Sequence, residues 1–492
     1  MNKEVLLSDE IRQFLDDVKG QIQYKPIRIE IEDELKAHIE DRTLEYIDMG
    51  MEEHEASHKA LLQMGDASSI GIMLNDARHV KNSYPLLFMV LASIFFGILR
   101  NFLDYSVDWD HPVYSILYNV NYFIFGLIVL AAVYYRGYTF IIMHLKGFLI
   151  SMLFLFFANA IITNYFTQYT INYSSHVLTY NLLLLLGPVF SASVYRWRSR
   201  GKLVLLYYFP ALVAVLLPQR KYYSNYFTTA ELTLIITGIV TLFFLSYRNY
   251  LSEKKRSFII CLLTGFTLSA GLYIGTSYTV QKENLQLFLH PQEQATSHWQ
   301  DGYNGVLIKE LLGRAEAFGS IKLSKDELYH YGSGAWYFKE DEVNNITKYI
   351  HYTKENVTLT DILPQHYHNN YRIAYWILAY GWIPGLLLLA FVLGLYILLF
   401  IITGKIKNKL GKTLALGCSV CLSAQMLFYL MGNFGHQYGS FSTLPFISEG
   451  VCSITTNMFL GGLVLSAYRY DHVIREEALI KHKPKRIISR MV

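Results

Sequence analysis

The stretch that decides the fold covers residues 373–402 and reads IAYWILAYGWIPGLLLLAFVLGLYILLFII. It carries no Asp, Glu, Lys, Arg or His, and it exceeds the roughly 20 apolar residues that a membrane-crossing helix needs. Nine further runs share its apolar character: residues 85–102, 114–135, 147–163, 177–195, 203–218, 232–247, 258–278, 413–431 and 451–468. The composition agrees. The chain of 492 residues is 52% hydrophobic and only 17% charged, with a mean hydropathy of +0.24. Soluble domains carry about 25% charged residues. The 39 tyrosines suit a chain with many membrane–water interfaces, where an amphipathic ring is favoured. The expected fold class is mainly α, a polytopic membrane protein with about ten transmembrane helices.

Charge sets the expected orientation. Ten spans with a cytoplasmic N-terminus return the C-terminus to the same side. The predicted inner loops hold Arg136 and Lys146; Arg196, Arg198, Arg200 and Lys202; Arg248, Lys254, Lys255 and Arg256; and Lys405, Lys407, Lys409 and Lys412. The predicted short outer loops hold little beyond Arg220 and Lys221. That asymmetry follows the positive-inside rule. It predicts residues 84–278 as spans 1–7, residues 279–372 as one large outer loop, residues 373–468 as spans 8–10, and residues 469–492 as a basic cytoplasmic tail. Lys481, Lys483, Lys485 and Arg486 in that tail suit an anionic lipid surface better than nucleic acid.

Residues 1–83 read as a small helical module. Ile11, Phe14, Leu15 and Val18 lie on one face of a first helix capped by Ser8. Ile31, Leu35, Ile39, Arg42 and Tyr46 stripe a second that Gly50 ends, and Ala56, Ala60 and Leu61 mark a third that ends at Gly65. His54-Glu55-Ala56-Ser57-His58 matches H-E-x-x-H, whose two His can bind zinc from one helix face. The helix is short and no third ligand stands at a family spacing, so a solvated helix face is the favoured reading and no metal is expected. The cysteines, Cys261, Cys418, Cys421 and Cys452, all lie in or beside apolar runs and form no disulfide framework. The CxxC spacing of Cys418 and Cys421 reads as packing inside a span. No cleavable signal peptide is expected, because the first 80 residues are polar.

Two resemblances rest on short strings. His38-Ile39-Glu40-Asp41, Gly50, Glu55-Ala56 and Gln63-Met64-Gly65-Asp66 resemble the permease prefix module found at cytoplasmic N-termini of several Firmicute membrane proteins. That likeness implies a docking or regulatory role and a Gram-positive source. Leu444-Pro445-Phe446-Ile447-Ser448-Glu449-Gly450, just before the last span, is similar to a string in the SEDS family of cell-wall proteins, the FtsW/RodA/SpoVE group. Asp301-Gly302-Tyr303-Asn304 resembles the start of that family's outer loop, and ten spans with a large loop between the seventh and eighth is its architecture. The resemblance implies a protein of peptidoglycan synthesis in the bacterial plasma membrane, linked to cell division, cell shape or sporulation. It implies lipid II, an undecaprenyl-linked precursor, as ligand, and a class B penicillin-binding protein or another divisome or elongasome protein as partner.

The resemblance also places the chemistry, and there the chain departs from it. Glycan polymerisation on a lipid carrier needs a base, cations or a metal for the leaving pyrophosphate, and an apolar groove for the tail. The family's catalytic carboxylate lies just before the eighth span. Here the matching stretch is Leu363-Pro364-Gln365-His366-Tyr367-His368-Asn369-Asn370-Tyr371, so the carboxylate position holds Asn370 or Asn369. An amide is no base at neutral pH. A Glu/Lys pair of the family at the fourth span is matched by His176 and Thr179. His366, His368, Asp361 and Glu449 are the candidate substitute groups. Arg372 could pair with a lipid pyrophosphate or snorkel to the interface. Arg372, Tyr303, Pro445, Ser448 and Gly450 are the candidate substrate-binding residues. Three functions follow: a precursor- or partner-binding protein without polymerase activity, an active peptidoglycan glycosyltransferase with a relocated base, or a transporter of lipid-linked precursor. No cofactor is expected, and a divalent metal enters only with the active reading.

Overall fold

Long apolar runs become helices in the computed structural model. It describes residues 9–23, 27–103, 112–165, 169–198, 228–250, 278–294, 301–332, 337–341, 346–350, 357–364, 367–439 and 442–473. The expected spans at 203–218 and 258–278, and the Ser8 cap, fall outside those residues but for Tyr278, which opens a helix. Five helices are long and apolar enough to cross a membrane: Val177–Arg196, Thr229–Tyr247, Trp382–Lys405, Lys409–Asn433 and Val451–Arg469. Shorter apolar stretches occupy Tyr84–Leu99, Val120–Arg136 and Leu145–Phe156. This is the make-up of a multi-pass membrane protein.

The chain divides into two compact units, residues 1–82 with 468–492 and residues 83–467. In the first, α1 (Asp9–Gln21), α2 (Arg28–Asp48), α3 (Glu53–Met64) and α4 (Ala67–Ala77) pack together. Phe14, Leu15, Val18, Ile31, Ile39, Ala56 and Ala60 form the core, as their helical spacing requires. Gly50 and Gly65 follow α2 and α3 at positive φ. The fourth helix, not expected from the sequence, is capped by Asp66, whose carboxylate accepts the Ser69 N–H at 2.8 Å. Arg78, buried just past α4, reaches Glu34 at 2.9 Å and Glu30 at 3.6 Å on α2. His54 and His58 are exposed on α3, and His58 meets Glu10 at 3.2 Å. Among the described residues no cluster of His, Cys, Asp and Glu could hold a metal ion.

The second unit starts with α5 (Tyr84–Leu103), α6 (Pro112–Arg136), α7 (Tyr138–Met143), α8 (Leu145–Tyr165), α9 (Tyr169–Arg196) and α10 (Thr228–Tyr247). A polar stretch follows with α11 (Tyr278–Leu289), α12 (Asp301–Arg314), α13 (Lys325–Gly332) and a hairpin of β1 (Tyr337–Asp341) and β2 (Ile346–Ile350), paired antiparallel with Tyr337 opposite Ile350. Then come α14 (Leu359–Ile362), α15 (Tyr367–Asn370), α16 (Arg372–Tyr380), α17 (Trp382–Lys405), α18 (Lys409–Asn433) and α19 (Val451–Arg469). Helices α9, α10 and α18 form the centre through small and hydroxyl residues. A Cβ on Gly417 would stand 2.6 Å from Ser191 Oγ. Ser191 Oγ lies 2.7 Å from Thr241 Oγ1 and donates to the Gly187 carbonyl at 2.9 Å. Close backbones and interhelical hydrogen bonds are what bind helices where burial of apolar surface gives no advantage over lipid.

The eighth apolar run is not one helix. It breaks at Gly381, which holds φ +99° between α16 and α17. A break leaves backbone groups without helical partners. A bent strap, residues 316–321, supplies them. Gly319 N–H donates to Tyr380 O and Ile321 N–H to Leu378 O, both at 2.8 Å. Trp382 and Ile383 N–H donate to Glu316 O and Ala317 O at 2.9 and 3.0 Å. Past the strap, Glu327 caps α13 by accepting from Ser324 N–H and pairs with Arg314 at 2.7 Å. The Ser324 amide and Arg314 hold its carboxyl down to about 2 against an ordinary 4.5.

Two outcomes follow. Because Glu327 is depressed in the folded chain, its contribution is complete above about pH 4.5 and is lost as pH falls through about 2. Hydrogen exchange at the start of α13 is therefore expected to rise over that acid window and not near neutrality. Gly381→Ala would place a Cβ 2.6 Å from Ala317 O at a backbone angle that disfavours L residues. It is expected to destabilise the chain by at least about 1–3 kcal/mol, read as a lower melting temperature in detergent. Gly404→Ala, where a Cβ meets nothing within 4 Å, is expected not to lower it.

Candidate functional site

The candidate site forms where α15–α16, the end of α18 and the loop before α19 converge. Its centre is Asn433, buried in the last turn of α18. Its Oδ1 accepts the Ile373 and Ala374 N–H groups at 3.0 and 3.1 Å, capping α16 from another helix. Its Nδ2 donates to Asn370 O and Tyr429 O, both at 2.9 Å. One turn earlier, Tyr429 donates its hydroxyl hydrogen to Asn369 O at 2.9 Å, and its oxygen accepts the Arg372 N–H at 3.0 Å. Past the end of the helix, Gln437 Oε1 accepts from the buried Tyr371 hydroxyl at 3.3 Å.

The string before α19, residues 444–450, joins the same network. Leu444 N–H donates to Ser448 Oγ and Ser448 N–H to Leu444 O, both at 2.9 Å, closing a tight loop. Phe446 holds φ +68° at its bend, and a Cβ on Gly461 would stand 2.8 Å from its ring. Pro445 is buried and Gly450 turns the chain into α19 at φ +117°. Asn369 Oδ1 accepts the Glu449 N–H at 3.0 Å. Arg372, 3% exposed, points inward: Nη1 donates to Ile447 O at 2.8 Å and Nη2 lies 3.5 Å from Glu449 Oε1. Glu449 thus meets both Asn369 and Arg372, Asn370 joins through Asn433, and Ser448 closes its own loop with Leu444.

The other candidates stand elsewhere. Thr179 is buried on α9 and its hydroxyl accepts from Asn159 of α8. Asp361 accepts the Thr358 N–H at 2.8 Å and its hydroxyl at 2.6 Å, a capping box on α14. Tyr303 is half-buried on α12, and burial followed by Glu310 pushes its phenol up. His176 and His368 fall in α9 and α15 but their side chains, and all of His366, lie outside the described residues. Cys421 Sγ donates to Leu184 O at 3.3 Å inside the helical core, a packing contact.

Sequence reasoning missed Tyr429, Asn433 and Gln437. Their spacing of four, at the end of an apolar run, was a readable signal for polar groups facing a protein interior. An apolar groove of about 410 Å³ lies along the more exposed face of α18, lined by Phe288, Leu289, Leu427, Leu430, Met431, Phe434 and His436 and by none of these three polar residues. His436 Nδ1 is 3.1 Å from Phe288 O, which ties α11 to the end of α18.

No family model and no curated protein matches the chain. One solved chain, from a peptidoglycan synthase complex that coordinates polymerization and crosslinking, superposes with a TM-score of 0.50 at 16% identity. The match covers 79% of this chain and 98% of that one. The two share a fold. At this identity the likeness carries no residue roles, so the chemistry rests on the geometry above.

Arg372 and Glu449 give the test of that geometry. Arg372→Met leaves Glu449 and the Ile447 carbonyl without the guanidinium, and is expected to cost about 3 kcal/mol or more, as breaking a buried ion pair does. Glu449→Gln keeps an acceptor and is expected to cost less. Chemical unfolding in micelles orders the two.

Proposed function

We propose that this chain is a SEDS-like membrane protein of bacterial cell-wall synthesis that binds a lipid-linked peptidoglycan precursor, or a partner enzyme, without polymerising glycan. One observation carries the reading: Asn369 and Asn370, at the position the resemblance assigns to the catalytic carboxylate, are amides; Asn369 Oδ1 accepts the Glu449 N–H, and the backbone carbonyl of Asn370 accepts from Asn433. Neither can take a proton from a sugar hydroxyl at neutral pH. The likeness of fold to a component of a peptidoglycan synthase complex supports the pathway, and the apolar groove on the more exposed face of α18 fits a polyprenyl tail. A class B penicillin-binding protein or another divisome or elongasome protein is the proposed partner. Residues 1–83 and the tail after 468 are proposed to face the cytoplasm, and residues 279–372 the outside, on the Lys/Arg asymmetry.

The active reading keeps one foothold. Glu449 is a carboxylate in the network, 13% exposed, though its neighbour is Arg372.

Native mass spectrometry of the purified chain in nanodiscs with undecaprenyl-pyrophosphate disaccharide-pentapeptide tests the binding. Retention of one intact precursor, weakened by Phe434→Trp in the groove, is expected. Failure to retain it, together with failure to co-purify a class B penicillin-binding protein, contradicts the reading. Reporter fusions at Ser324 and at the C-terminus test the orientation; a cytoplasmic signal at Ser324 contradicts it.

A further inference from the structure

The strap of residues 316–321 carries a large apolar side chain where a polar loop has no use for one. Phe318 at its centre is 65% exposed. Its backbone cannot swing away, because the four strap hydrogen bonds hold it against the break in the apolar run. The Phe318 Cα stands 2.6 Å from where a Cβ on Gly381 would be. Phe318 is therefore fixed at the point where α17 begins.

The neighbours at that point define its surroundings. Ala317 O accepts from the Ile383 N–H, and Ile383, Leu386 and Leu387 are exposed in the first turns of α17. That helix is the most apolar of the five long ones and the least covered by protein, with 39% of it buried. Its exposed stripe belongs to lipid. The rings of Trp376 and Tyr380 lie 5.2 Å apart, tilted at 58°, just before the break, and Trp382 follows it. Aromatic residues gather in this way at the membrane–water boundary. On the strap's flanks Glu316 and Lys322 pair at 2.9 Å, both well exposed, as suits the wet side of that boundary.

We infer that Phe318 inserts into the bilayer leaflet in which α17 begins, beside Ile383, and that the strap is a lipid anchor. A ring at the headgroup–acyl boundary loses its contact with water, as in interfacial helices that bury Phe. The anchor fastens the polar segment before α16 to the membrane surface, and with it the capped end of α16 that carries Arg372. This inference rests on α17 being a membrane span.

Nitroxide labels on the full-length chain in phosphatidylcholine liposomes test both parts separately. The native cysteines are replaced by Ala, and single labels are placed at Phe318→Cys, Ser320→Cys and Leu387→Cys. Collision with oxygen, which concentrates in lipid, is compared with collision with a water-soluble nickel chelate. The label at 318 is expected to favour oxygen several-fold over the label at 320, and to approach the label at 387. A label at 318 as open to nickel as that at 320, with 387 in lipid, overturns the anchor alone. A label at 318 shielded from both reagents overturns it too, because protein then covers the site. A label at 387 open to nickel overturns the span and the anchor together.

Discussion

A backbone amide or carbonyl without a partner costs several kcal/mol in or beside a hydrocarbon layer. This constraint organises the candidate site. The break at Gly381 and the start of α16 both expose such groups, and both are satisfied from a distance in sequence: the first by the strap at 316–321, the second by Asn433 on α18. Each long-range bond fixes the position of one element against another. Together they place α16 so that Arg372 faces the loop before α19 and not the solvent.

The consequence for function runs through polarity without proton transfer. The network at Asn433 is made of amides, a phenol, backbone groups and one ion pair. Such groups orient and hold; they do not exchange a proton with a sugar hydroxyl near neutral pH. On the proposed reading, this network frames a bound precursor.

The sequence made some of this plain and hid the rest for physical reasons. Apolar runs and helix-ending glycines are local signals, so the long helices and the ends of α2 and α3 were legible. The Asp66 cap of α4 was equally local and was passed over. The break at Gly381 was hidden inside a run whose apolar character never lapses. Pro384 gave the available hint, since it suits the first turn of a new helix and not the middle of an old one. At the site, the string at 444–450 stood out as a motif, but its bonds reach Asn369 and Arg372 some eighty residues earlier in the chain. No periodicity encodes a contact of that range. Glu449 stood in the sequence as a candidate substitute carboxylate and is a partner of Arg372 in the fold.

The central claim is that the site holds its ligand without making glycan. Incubating the purified, unmodified chain with lipid-linked disaccharide, with and without a class B penicillin-binding protein, and resolving the products by gel tests it most directly. A missing general base alone lowers a rate by about 10²–10⁴-fold. The account predicts no glycan above background, from the native chain and from Asn370→Asp, because the Glu/Lys pair is also replaced, by His176 and Thr179. Robust polymerisation by the native chain, abolished by Glu449→Gln, Asp361→Asn or His366→Ala, would contradict it and name the base.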